Sequence, residues 1–200
     1  MTVAKPKASR TRGGASSTRQ AAVQGPSSSD GATGPIAPVL IILFALAGIG
    51  IASYLTVQHY AKLALSCPKP GWFENTLHQL FGINVNCESV TTSAYSVVGP
   101  TSIPITVPGL LWFVVSGALA VWAILSLRGR LVAPDWLPAA QLVWSILGLV
   151  FVIYLVYAEF VQLKAVCVWC TGVHILTILT FFVALVQWQR VMSRRYQTSG

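Results

Sequence analysis

Four runs of about twenty residues, at 36–57, 109–127, 137–157 and 166–186, contain no Asp, Glu, Lys or Arg. The hydrocarbon core of a bilayer is about 30 Å thick and needs about 20 helical residues to cross it. In lipid the backbone must satisfy its own hydrogen bonds, and within one segment only a helix does so. The expected fold is therefore an all-α membrane protein, a four-transmembrane-helix bundle. Composition agrees: 13 basic and 5 acidic residues in 200, with 54% hydrophobic, is far from the roughly 25% charged content of a soluble domain.

The charges also orient the bundle. Five basic residues lie in the first nineteen, Arg128 and Arg130 join the second and third spans, and Arg190, Arg194 and Arg195 follow the fourth. The alternate connections hold only Lys62, Lys69 and Lys164. The positive-inside bias places both termini in the cytoplasm, with a long outer loop at 58–108 and a short outer connection at 159–165. Residues 1–35, rich in Ser, Thr, Gly and basic side chains, read as a disordered cytoplasmic tail. Residues 36–188 form the membrane domain and 189–200 a second cytoplasmic tail. The first apolar run is too long for a secretory signal and ends without a cleavage pattern. A net charge of +8 without a recognition motif or a basic folded face excludes nucleic acid as the partner. Trp112, Trp136, Trp169 and Trp188 near span ends suit an interfacial belt, whereas Trp144 sits deeper.

That topology puts all four cysteines on one side. Cys67 and Cys87 lie in the outer loop, and Cys167 and Cys170 open the fourth helix at its outer end. The extracytoplasmic compartment permits lasting disulfides. Cys167-Val168-Trp169-Cys170 places two sulfurs on one helix face. Amides of the first turn, with Lys164 nearby, favour thiolate at the leading cysteine, and thiolate is the species that attacks disulfides. Cys67 and Cys87 sit in a Pro- and Gly-containing loop, able both to meet and to move. A mobile pair beside a rigid pair suits an electron relay. Two static disulfides in a non-catalytic scaffold remain the alternative. A tetrahedral zinc site is disfavoured because the loop pair lacks knuckle spacing, so no metal is expected.

The motifs resemble the vitamin K epoxide reductase family over about residues 51–178. They are Ser53-Tyr54-Leu55-Thr56 with His59, then Cys87-Glu88-Ser89-Val90 followed by Ser93. Ser102-Ile103-Pro104-Ile105, Pro108-Gly109-Leu110 and Cys167-x-x-Cys170 complete the set. The resemblance, of the bacterial unfused type, implies a bundle enclosing a quinone near the outer surface. By that resemblance Cys170 lies next to the quinone and Cys167 is its partner. Cys87 is the loop cysteine that exchanges with Cys167, and Cys67 meets the external thiol. Ser93, His174 and Trp169 are the implied quinone-side residues. The quinone is menaquinone, ubiquinone or phylloquinone, and the thiol partner is a separate thioredoxin-fold protein, the chain ending soon after the fourth span. The site faces outward from the cell (inner or plasma) membrane.

The chain departs from the family pattern at particular points. The loop cysteines lie farther apart than in many relatives. The intervening stretch carries Phe73, Leu77, Leu80 and Phe81 on one helical face, which either anchors the loop or caps the pocket. Ile105 stands where the vertebrate pattern has asparagine, which argues against quinone epoxide reduction, the close alternative activity. His174 stands where that pattern has tyrosine, one turn beyond Cys170. It is either a quinone-side donor or a histidine bonded to a neighbouring helix. Ser53 and His59 read as packing or interhelix residues, and Glu88 as solvated.

Overall fold

The computed structural model describes residues 34–62, 67–68, 71–99, 102–132 and 134–199. The basic N-terminal tail expected at 1–35 falls almost wholly outside them. Helix α1 spans Ile36–Ala61, α4 spans Thr106–Leu127, α5 spans Leu137–Tyr157 and α6 spans Val168–Ser199. Between α1 and α4 lie α2 (Gly71–Phe81), β1 (Asn84–Val85), α3 (Cys87–Thr91) and a 3-10 turn at Ala94–Ser96. Among the described residues, four helices are long and apolar enough to cross a membrane.

The buried row of α1, Pro38, Ile41, Ala45, Gly48, Ala52 and Leu55, advances by alternating threes and fours, one face of a helix. Its other faces are apolar too: Leu43 is 55% and Leu46 is 61% exposed. A helix that is apolar all round and still exposed in the isolated chain fits lipid, not water. The inward rows carry small residues that let helices approach closely. A Cβ on Gly48 would collide with the Phe113 ring, and one on Gly148 with the Trp112 indole. Trp112 is only 8% exposed, so it is an interior residue and not part of an interfacial belt.

The helix ends differ from the charge-free runs, each for a local reason. α1 continues to Ala61 and stops where Lys62 adopts a left-handed conformation with φ 50°. α4 starts at Thr106 because Pro108 is tolerated in a first turn, where its missing N–H has no partner to lose. α5 does not end at Tyr157. It runs on as a π-helical turn, Ala158–Leu163, until Lys164 turns left-handed at φ 48°. The expected connection at 159–165 is thus mostly helical, since no Gly or Pro interrupts 158–163. β2 takes Ala165–Val166, which delays α6 to Val168.

β1 and β2 pair in parallel, Asn84 with Ala165 and Val85 with Val166, and the Asn86 N–H extends the ladder to the Val166 carbonyl at 3.1 Å. This short staple fastens the loop after α1 to the start of α6. The Asn86 side chain then caps α3, its Oδ1 accepting from the Ser89 N–H at 3.1 Å. At the opposite end of the bundle Arg195 meets the Asp135 carboxylate at 3.5 Å, an exposed pair that contributes little.

Candidate active site

The β1–β2 staple determines which cysteines meet. Cys87 follows β1 within one turn and Cys167 follows β2 directly. Both are buried in one cluster with Leu55, Val90 and Ala165, against which Cys67 and Cys170 also pack. The four cysteines therefore share one end of the bundle. Cys67 and Cys87 form a disulfide with their Cα atoms 5.7 Å apart. Cys167 and Cys170 are free thiols. Cys87 is buried and Cys67 half-buried, so Cys67 is the more accessible residue of the bonded pair.

Cys167 is fully buried at the mouth of α6. Its sulfur accepts from the Cys170 N–H at 3.4 Å, and its carbonyl accepts from the Thr171 N–H at 2.9 Å. The Cys170 thiol donating to it holds the Cys167 thiol below its ordinary value. Burial opposes this, and the Cys170 and Trp169 amides reinforce it. This geometry makes Cys167 more readily deprotonated than an ordinary cysteine. The neighbouring thiol is the largest cause, ahead of the helix-end amides that the sequence points to.

Cys170 faces elsewhere. It lines a small chamber of about 60 Å³ together with His174, Glu159, Ser93 and Tyr95. A second cleft, about 220 Å³ and mostly apolar, shares Ile105, Leu155 and His174 with that chamber and continues between Trp112, Phe151 and Val173. A larger cavity, about 570 Å³, lies at the far end near Leu40, Phe182 and Arg190 and touches none of the cysteines.

Ser93 and His174 thus sit on the chamber wall, Ser93 donating to the Val90 carbonyl at 2.8 Å and His174 only 5% exposed. Trp169 lines neither space. Its ring packs on Tyr54 with centroids 5.4 Å apart. His59 and Ile105 line the small chamber as well, whereas Glu88 is exposed. In α2, Leu77 is half-buried while Leu80 and Phe81 are exposed, and Phe81 meets Phe160 with centroids 6.1 Å apart.

Glu159 is a wall residue that the charge-free span boundary leaves in a loop. It is 4% exposed, and it lies seven residues beyond Val152, the last member of the inward row of α5. Carrying that helical period past the end of the charge-free run finds it.

No curated protein matches the chain. The sequence pattern of the Vitamin K epoxide reductase family matches residues 39–185, a stretch that reaches into all four membrane helices and contains every cysteine. The chain belongs to the vitamin K epoxide reductase family, a membrane oxidoreductase.

Proposed function

We propose that this protein oxidises the dithiols of a thioredoxin-fold partner outside the cytoplasm and sends the electrons to a membrane quinone, so sustaining disulfide formation. The observation that carries the reading is the division of labour at α6. Cys167 is buried beside Cys87, whereas Cys170 lines the chamber. A partner thiolate attacks Cys67, the more accessible member of the loop pair, and frees Cys87, and the partner's second thiol then releases Cys67. The Cys87 thiolate attacks Cys167 of an oxidised Cys167–Cys170 pair and frees Cys170. Cys67 attacks Cys87 in turn, which re-forms the Cys67–Cys87 bond and releases Cys167, leaving Cys167 and Cys170 as the dithiol that quinone reoxidises. The lowered thiol value of Cys167 makes it a good leaving group in that step.

The walls suit a quinone. The apolar cleft fits an isoprenoid tail, and the chamber offers Cys170, His174 and Ser93 to a polar head. A bound quinone supplies a lipid-soluble acceptor for two electrons and two protons. Ile105 presents hydrocarbon on the shared wall, which supports quinone over epoxide as substrate. The arginines at the end opposite the cysteines support an outward-facing site in the cell membrane.

Purified protein given dithiothreitol and a quinone is expected to reduce the quinone, followed by its absorbance. C167A and C170A should abolish the reaction. C67A and C87A should abolish turnover with a protein dithiol substrate. Full activity in C170A would refute the proposal, and so would reduction of an epoxide with no reduction of quinone.

A further inference from the structure

Reduction of a quinone in this chamber takes up two protons, and titratable groups on its walls are placed to carry them. Among the described residues the titratable groups on its walls are His59 from α1, Tyr95 from the 3-10 turn, Glu159 from the π turn, and Cys170 and His174 from α6. Glu159 stands out among them. A carboxyl group within a spanning segment is expensive and functional by default. It belongs to Leu137–Leu163, the apolar span that continues α5. It shares the chamber wall with Cys170, and its charge is felt at both Cys167 and Cys170. It also sits in a π-helical turn, a distortion frequent at functional sites.

We infer that Glu159 is the proton relay between the Cys167–Cys170 pair and the quinone chamber, acting on both from a single position on the wall. The inference rests on the function proposed above. Formation of the Cys167–Cys170 bond releases two electrons and two protons from two thiols, and all of them end on the quinone as quinol. Glu159 takes the proton leaving Cys167 and gives its own proton to a quinone oxygen, so the carboxyl ends unchanged. The Cys170 proton passes directly to the same acceptor. No further oxidant or base is required.

The test uses full-length protein, fully reduced and mixed with a short-tailed soluble quinone in a single turnover. Wild-type protein must first form the Cys167–Cys170 bond and quinol. If it does not, the proposed function has failed, and the relay falls with it. If it does, Glu159→Gln should slow the step by about 100-fold, the range of a missing general acid–base group. Its quinone affinity should hold, its pH profile should flatten, and Glu159→Asp should recover most of the rate. A Glu159→Gln rate within about threefold of wild type overturns the relay, as does an affinity loss that matches the rate loss. A second readout uses wild-type protein alone. Time-resolved infrared spectra through the quinone turnover should contain a transient carboxyl band that shifts in heavy water and has gone once quinol has formed. A turnover without that band overturns the relay even if Glu159→Gln fails to fold.

Discussion

Trp112 and Trp144 bind each other reciprocally across α4 and α5. The Trp112 indole N–H donates to the Trp144 carbonyl at 3.0 Å, and the Trp144 indole N–H donates to the Trp112 carbonyl at 3.1 Å. Both rings line the apolar cleft, so this pair holds its walls at a set spacing. Trp144→Phe keeps most of the ring and removes one bond, at a cost of about 0.5–1 kcal/mol. Trp112→Phe removes a bond and leaves a gap over Gly148, at a cost of about 2–3 kcal/mol. Thermal unfolding in detergent should therefore rank wild type above Trp144→Phe, and Trp144→Phe above Trp112→Phe. The reverse order of the two variants would contradict this assignment.

Glycine packing makes a second, independent prediction. Gly48→Ala forces the Phe113 ring to move and should destabilise the bundle by about 1–3 kcal/mol, the range of overpacked cores. Gly50, on the other side of α1, has open space around it. Gly50→Ala should be neutral or slightly stabilising. Equal unfolding temperatures for the two variants would show that α1 and α4 do not approach as described.

Titration of the CxxC pair makes the third. The Cys170 thiol is the largest cause lowering Cys167. A lowered thiol value means that thiolate persists to lower pH than for an ordinary cysteine. Removing the donor with Cys170→Ala should move the Cys167 titration to higher pH, and Cys170→Ser, which retains an O–H, should move it less. Ultraviolet thiolate absorbance against pH measures this without needing reagent access to a buried sulfur. An unchanged titration in Cys170→Ala would assign the shift to the helix amides instead.

His174 makes the fourth. It joins the small chamber to the apolar cleft, and the proposed function uses it at the quinone head. His174→Phe should weaken quinone use by about tenfold, the worth of one hydrogen bond in a low-dielectric site. His174→Tyr should restore much of it. The KM for quinone should carry most of the effect, with exchange at Cys67–Cys87 unaffected. An unchanged KM in His174→Phe would leave the histidine as an interhelix packing residue.

The spans are legible in the sequence because lipid demands apolar side chains on every face, a signal that no loop imitates. Their ends are less so. Lys62 and Lys164 stop helices by a left-handed conformation that no Gly announces, and the β1–β2 staple is too short to leave an alternating pattern. Trp112 near a span end looks like a belt residue until Gly148 on another helix provides its seat. The cysteines can be assigned to one side from charge alone. That Cys167 lies beside Cys87 while Cys170 faces a chamber depends on the staple, and so is visible beforehand only through resemblance. Glu159 is hidden by ending a span at its first charge.

Cross-linking in a double variant tests the electron path most directly. In Cys67→Ala/Cys170→Ala only Cys87 and Cys167 remain, and mild oxidation should join them in one intramolecular disulfide, identified by mass spectrometry of the linked peptides. Two thiols that both stay open to alkylation after oxidation would contradict the account.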